Sequence, residues 1–294
     1  MFINGKHGKI NIIEGKPIYN IKAIIIHIHG IGSHFQPVYK CHNDFHERDN
    51  FFSNVEYKSF AFEFHGHGRS DGIRCCIKNF NDLVNDLENV IIHILNMYSD
   101  KKIFLLAESM GGAVVLKYII DNINITDFIK GIILLSPLCG IDENIKPSQF
   151  LVNLLRFTSY IFPTKRINLS STNIATKTTR NIKYQELKQK CPYNFDAPYP
   201  LCTLREIYNI SLWIPLNVSK WNIPLLIFYG SNDTVISYEG IKTTFDNIQY
   251  IDKELVILPN TEHSILVPNE DNDYIPQMVY IKMLNWLNLT YSNN

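Results

Sequence analysis

Short apolar runs rich in β-branched residues alternate along this chain with longer segments of helical periodicity. That rhythm constrains the fold more than any other feature. Ala23–His29 (AIIIHIH), Lys102–Ala107 (KIFLLA), Gly131–Ser136 (GIILLS) and Pro224–Tyr229 (PLLIFY) read as buried strands, and Tyr57–Phe64 and Glu254–Leu258 add two more. Between them, Phe80–Tyr98 carries apolar residues at 80, 83, 84, 87, 90, 91, 94 and 95, the spacing of one helix face. Met110–Asp121 and a last segment over roughly 275–288 read as helices too. Strand, helix, strand, helix in this order requires crossover connections. The expected fold class is therefore α/β, a mostly parallel central sheet with helices on both faces.

One region breaks the rhythm. Between about 141 and 221 no strand pattern appears; Gln149–Phe162 (QFLVNLLRFTSYIF) is strongly apolar and helical, and polar Ser/Thr/Asn-rich sequence follows at 168–182. The expectation is a single domain over 1–294, with 141–221 inserted between two strands as a helical lid. The apolar 149–162 stretch belongs to that insertion, and its apolar character alone is equally consistent with plain core packing.

Composition narrows the function classes. With 46% hydrophobic residues the chain can bury a large core, and a formal net charge of zero offers no basic patch for a nucleic-acid partner. Six cysteines, at 41, 75, 76, 139, 191 and 202, form no CxxC pair, and a chain this long needs no disulfide staples, so they read as reduced thiols. The N-terminal MFINGKHGKINIIEGKPIYN has no apolar signal core, and no run approaches the roughly 18 apolar residues that span a bilayer. Phe2 stands where N-myristoylation needs glycine. A cytoplasmic location is the expectation, and the sequence says nothing of oligomeric state.

The chemistry centres on Leu106-Ala107-Glu108-Ser109-Met110-Gly111-Gly112, which ends a buried strand and opens a helix. A nucleophile elbow needs that context: the turn holds its serine in a strained conformation with small residues on either side. Ala107 departs from the usual glycine, and its single methyl is tolerable. A serine merely capping a helix is the plainer alternative. Met110 N–H would point into the site at the helix N-terminus, and His29-Gly30-Ile31-Gly32, at the end of another strand, can aim Ile31 N–H at the same oxyanion. Gly30, Gly32, Ala107 and Gly111 support these two turns. Phe64-His65-Gly66-His67-Gly68-Arg69-Ser70-Asp71-Gly72 reads as a glycine-punctuated turn with no direct catalytic step.

An acid and a base come late in the chain. Phe228-Tyr229-Gly230-Ser231-Asn232-Asp233 ends a strand on an aspartate able to orient an imidazole. His263 follows the next strand and is the sole histidine after His93. The order Ser109, Asp233, His263 is that of the α/β-hydrolases.

Taken together, HGIGSH, GHGRSDG, ESMGG, YGSNDTV and His263 resemble the monoglyceride lipase and lysophospholipase branch of the α/β-hydrolases, over roughly residues 20–290. The resemblance implies a Ser109–His263–Asp233 triad, an oxyanion hole from the N–H groups of Ile31 and Met110, and a lid over an acyl-binding channel, where the apolar 149–162 stretch falls. It also implies hydrolysis of carboxylic esters of single-chain lipids, monoacylglycerols or lysophospholipids, through an acyl-enzyme with no metal or organic cofactor. Transient membrane-surface contact through the lid is compatible with this. An acyltransferase using the same triad and a hydrolase-fold binding protein of low turnover are the alternatives.

Other constellations weigh less. The pairs His27/His29, His42/His46 and His65/His67 have spacings a metal could use. However, His29 and His67 belong to the motifs above, and His42 and His46 sit among Asn43, Asp44, Glu47, Arg48 and Asp49, most simply a solvated helix face. Ser136-Pro137 reads as the exit from a strand toward the lid. Adjacent Cys75 and Cys76 would form a strained disulfide and read as buried thiols.

Overall fold

The computed structural model describes residues 1–35, 45–122, 127–146, 148–167, 177–195, 197–269 and 273–292. Eight strands form one sheet: β1 (Phe2–Gly5), β2 (Gly8–Glu14), β3 (Ala23–Ile28), β4 (Tyr57–Glu63), β5 (Ile103–Glu108), β6 (Ile129–Leu135), β7 (Leu225–Gly230) and β8 (Lys253–Leu258). Their spatial order is β1-β2-β4-β3-β5-β6-β7-β8. β3 through β8 pair in parallel, as the strand–helix rhythm requires, while β1–β2 and β2–β4 pair antiparallel. The sheet is therefore mostly parallel, with an N-terminal hairpin added at one edge that the sequence reading did not identify.

The helices are α1 (Phe45–Ser53), α2 (Phe80–Met97), α3 (Met110–Asp121), α4 (Gln149–Ile161), α5 (Ile182–Lys190), α6 (Leu201–Asn217), α7 (Tyr238–Asn247) and α8 (Ile275–Ser292). β3, β4 and β7 are buried along their whole length, because helices cover both faces. One apolar cluster joins α2, α3 and α6 to one face through Leu83, Leu87, Val114, Ile214 and Ile26. The other packs α8, through Met283, Trp286 and Leu287, against Phe104, Leu226 and Phe228. Asn79 starts α2 by accepting the N–H of Asn81, a cap that fixes where the helix begins.

The chain leaves β3 for β4 on one side and then for β5 on the other. This reversal of strand order makes a crevice at the carboxyl ends of β3 and β5, where open α/β sheets bind ligands. HGIG leaves β3 there, and the candidate elbow leaves β5.

Two expectations are corrected. In α1 the polar stretch is only partly a solvated face: His46 and Glu47 are exposed but Arg48 and Asp49 are buried, while His42, Asn43 and Asp44 lie outside the described residues. In α4 only Val152 and Ser159 are buried; Phe150, Leu154, Phe157, Tyr160 and Ile161 face solvent, so these large side chains do not line a channel. α4, α5 and α6 fill the connection from β6 to β7.

Candidate active site

Ser109 sits between β5 and α3 with φ +51° and ψ −118°, a left-handed conformation rare outside glycine. The surroundings enforce it. Ser109 N–H donates to Leu135 O at 3.0 Å, and Ser109 O accepts from Leu138 N–H at 2.9 Å. The serine side chain makes no capping hydrogen bond to α3, which argues against the simple helix-cap reading. Small neighbours are required: a Cβ on Gly111 would come within 2.6 Å of His29 O, and one on Gly112 within 2.7 Å of Pro137 Cβ. Ala107 is fully buried in β5 and paired with Ile28, so one methyl fits where the family pattern has glycine.

The β3 loop lies against the elbow. A Cβ on Gly30 would meet Ser109 Cβ at 3.1 Å, so glycine lets the loop approach the serine. His29 orients this loop. Its Nδ1–H donates to Gly30 O at 2.7 Å, and its Nε2 accepts the N–H of Phe64 at 3.2 Å, which sets a neutral tautomer. Since the peptide is planar and trans, holding Gly30 O toward His29 leaves Ile31 N–H on the opposite edge. Gly32 follows with φ +70°. Met110 N–H is among the first of α3, which have no acceptor within the helix.

Glu63 is a functional support that the sequence reading missed. It is fully buried at the end of β4 and accepts the N–H of Phe35 at 3.2 Å, the N–H of Arg69 at 2.7 Å and Asn11 Nδ2 at 3.0 Å. The GHGRS turn wraps this carboxylate, and a Cβ on Gly68 would collide with it. The turn thus ties the β3 loop to the sheet. Its only signal in the sequence is a carboxylate at an inward position of an apolar strand.

Asp233 and His263 come together at the ends of β7 and β8. His263 Nδ1 lies 2.7 Å from Asp233 Oδ2, while Asp233 Oδ1 accepts the N–H groups of Val235 at 2.8 Å and Ile236 at 2.9 Å. Burial pushes the Asp233 carboxyl up, but the charge and hydrogen bond of His263, with the two backbone donors, hold it below the usual carboxylate value. The two turns are laced together: Asn232 N–H donates to Thr261 O at 2.8 Å, and a Cβ on Gly230 would strike that same carbonyl at 2.3 Å. With Nδ1 engaged by Asp233, Nε2 is the ring nitrogen left for proton exchange.

The β6–β7 insertion reaches both sides of this edge. Arg180 pairs with Glu262 at 2.9 Å beside the histidine, and Ser264 N–H donates to Thr178 O. On the other side Phe195 N–H donates to Gly32 O, and Cys191 Sγ lies 3.0 Å from His34 Nε2.

The remaining candidates take structural places. Ser136 is fully buried, its N–H bonded to Phe228 O. Cys75 and Cys76 are buried free thiols, and Cys76 faces Cys202 at 3.5 Å instead of its neighbour. Among the described residues, no group of three or more His, Cys, Asp or Glu side chains is placed to hold a metal ion.

Five histidines, 27, 29, 34, 65 and 67, are buried around the β3 and β4 ends. Burial lowers four of them below the ordinary imidazole value of 6.5: His29 to about 3, His34 to about 4, and His27 and His67 well below that ordinary value. These four stay neutral in the fold and take up protons on unfolding. Their contribution is complete above pH 6.5 and is lost as pH falls toward 4, at up to about 1.4 kcal/mol per pH unit for each. Thermal melts at pH 8, 6.5, 5.5 and 4.5 should therefore show a midpoint that drops steeply below 6.5. A flat midpoint across that range would contradict the neutral buried imidazoles.

The chain is similar to known hydrolases in both sequence and fold. A family model described as serine aminopeptidase, S33 (Hydrolase_4), matches residues 19–272. Caffeoylshikimate esterase of Arabidopsis thaliana is 26% identical over 241 residues, covering 80% of this chain and 70% of its own. Monoglyceride lipase of Mus musculus is 24% identical over 248 residues, covering 84% and 77%. A soluble variant of monoglyceride lipase from Saccharomyces cerevisiae, crystallised with a substrate analog, superposes with a TM-score of 0.83 at 19% identity, over 99% of this chain and 94% of its own. That likeness establishes the fold.

Proposed function

The chain belongs to the serine aminopeptidase S33 family of α/β-hydrolases, and we propose that it is a carboxylic ester hydrolase acting on single-chain lipid esters, monoacylglycerols or lysophospholipids. In this reading Ser109 is the nucleophile, His263 the general base and acid, and Asp233 the group that orients and charge-balances His263. The observation that carries it is the His263–Asp233 pair at 2.7 Å, on the same sheet edge as a serine held at φ +51°.

The mechanism follows from these placements. His263 Nε2 takes the Ser109 hydroxyl proton as Oγ attacks the ester carbonyl. The N–H groups of Ile31 and Met110 stabilise the tetrahedral oxyanion; losing one such donor typically costs about 3 kcal/mol of barrier. His263 then protonates the leaving alcohol, and the same residue activates water to release the fatty acid. No cofactor takes part in any step.

The described residues of 141–221 act as a helical lid within a single hydrolase domain, with α6 also packed against the sheet through Ile210 and Ile214. Support for this comes from the contacts of the insertion with both the oxyanion loop and the histidine loop. The outward face of α4 suits a lipid surface. Phe150 is 80% exposed and Phe157 66%, with Leu154, Tyr160 and Ile161 beside them. Burying one phenylalanine is worth about 1.5–3 kcal/mol, so Phe157→Glu should weaken binding to phosphatidylcholine vesicles by about tenfold or more. Turnover of a soluble short-chain ester should hold. Equal vesicle binding by variant and wild type, measured by co-sedimentation, would remove the membrane role.

A panel of purified substrates tests the substrate class. Monoacylglycerol and lysophospholipid should be cleaved, and an aminoacyl-p-nitroanilide should not, despite the peptidase description of the family. Cleavage of the anilide alone would overturn the ester reading. Added alcohol acceptors in the same assay would reveal acyl transfer as new ester product.

A further inference from the structure

We propose that Arg48 is a positioning residue for the reaction: its buried guanidinium joins the nucleophile elbow to the oxyanion loop by pairing with Glu108 and lying over the ring of Phe35. This inference rests on the assignment of Ser109 as nucleophile. Glu108 immediately precedes Ser109, and Arg48 Nη2 contacts its Oε1 directly. The guanidinium lies 5.5 Å from the centroid of Phe35, a fully buried residue four positions after Ile31. The two loops that supply the proposed oxyanion N–H groups thus meet on one side chain.

The arrangement is costly unless it does something. The Arg48 side chain is 2% exposed and that of Glu108 20%. Taking such a pair out of water is expensive, and apolar residues of similar volume usually serve stability as well or better. Burial works against the charge of Arg48, and the Glu108 carboxylate, together with Tyr280 and Tyr184, more than offsets it. Tyr280 of α8 lies in the same electrostatic surroundings, its hydroxyl pushed up to about 12 by burial.

Two consequences for turnover follow. First, Arg48 anchors the residue adjacent to a backbone position that only surrounding contacts keep in place. Second, it neutralises a carboxylate next to the point where an oxyanion develops. An uncompensated negative charge there would oppose the transition state more than the neutral ground state. Loss of Arg48 should therefore lower kcat and leave KM nearly unchanged.

The test measures steady-state kinetics on a soluble ester, with active sites counted by fluorophosphonate labelling so that unfolded protein drops out. Arg48→Met should lower kcat per labelled site about tenfold with KM within about twofold, and Arg48→Lys, which keeps the charge, should recover most of that loss. Wild-type kcat in Arg48→Met, or no recovery in Arg48→Lys, would overturn the proposal. Should Arg48→Met not fold, the neutral pair Arg48→Met/Glu108→Gln takes its place. It should still lose at least about fivefold in kcat because the anchor is gone, and wild-type kcat there would also overturn the proposal. Ser109→Ala in the same series separates the two readings. If Ser109→Ala retains turnover, the nucleophile assignment fails; if it is inactive while the Arg48 variants turn over normally, the positioning role alone fails.

Discussion

Ser109→Ala should abolish ester turnover, lowering kcat by about 10⁶-fold, the size expected when the nucleophile of a Ser-His-Asp site is removed. The fold should barely notice. Ser109 Oγ makes no capping bond to α3, and alanine meets the same backbone strain at φ +51° that serine already does. A stability change within about 0.5 kcal/mol is therefore expected. Two of the thiols give no escape route. Cys75 and Cys139 are buried, and burial pushes both thiols up to about 12, which leaves almost no thiolate at neutral pH. The variant should also lose labelling by a fluorophosphonate probe while melting within a degree or two of wild type. Retained turnover or retained labelling would mean that another residue carries the chemistry.

The route from sequence to this site was short where local rules decide the outcome. β-branched runs between helical repeats specify the parallel strands, and a serine between a buried strand and a helix, with small neighbours, can only be an elbow or a cap. The absent capping bond now favours the elbow. Asp233 and His263 were legible because each follows directly on an apolar strand, and the parallel sheet puts consecutive strand ends side by side.

What stayed hidden depends on contacts between distant segments. The N-terminal hairpin turns at Lys6-His7, with its glycines at the flanking positions 5 and 8, so the usual Asn-Gly or Asp-Gly signal is missing. Arg48 and Asp49 look like solvent residues until Glu108, sixty positions on, comes against the first of them. The α4 pattern is ambiguous in a different way. Periodicity marks an apolar face but not what that face meets, and here its largest residues meet neither core nor channel.

Asp233→Asn should be the second most damaging change, lowering kcat by about 10⁴-fold with little effect on stability. The geometry separates the two roles of the carboxylate. Oδ1 accepts the N–H groups of Val235 and Ile236, and an asparagine oxygen can go on accepting both, so the turn after β7 survives. The amide nitrogen then replaces Oδ2 against His263 Nδ1, where the contact is 2.7 Å. Two donors cannot face each other there, so the ring must offer its Nδ1 lone pair and carry its proton on Nε2. That tautomer cannot accept the proton of Ser109, and the imidazolium formed during attack also loses its counter-charge. Asp233→Ala is the informative companion. It leaves the two backbone N–H groups without their acceptor, at about 1–3 kcal/mol each where they stay buried and unpaired, so it should lose stability as well as rate. Thermal melts with kcat on one soluble ester will distinguish them: a slow but stable Asn variant beside a slow and fragile Ala variant. Turnover of Asp233→Asn within tenfold of wild type would mean that His263 is oriented by something other than this carboxylate.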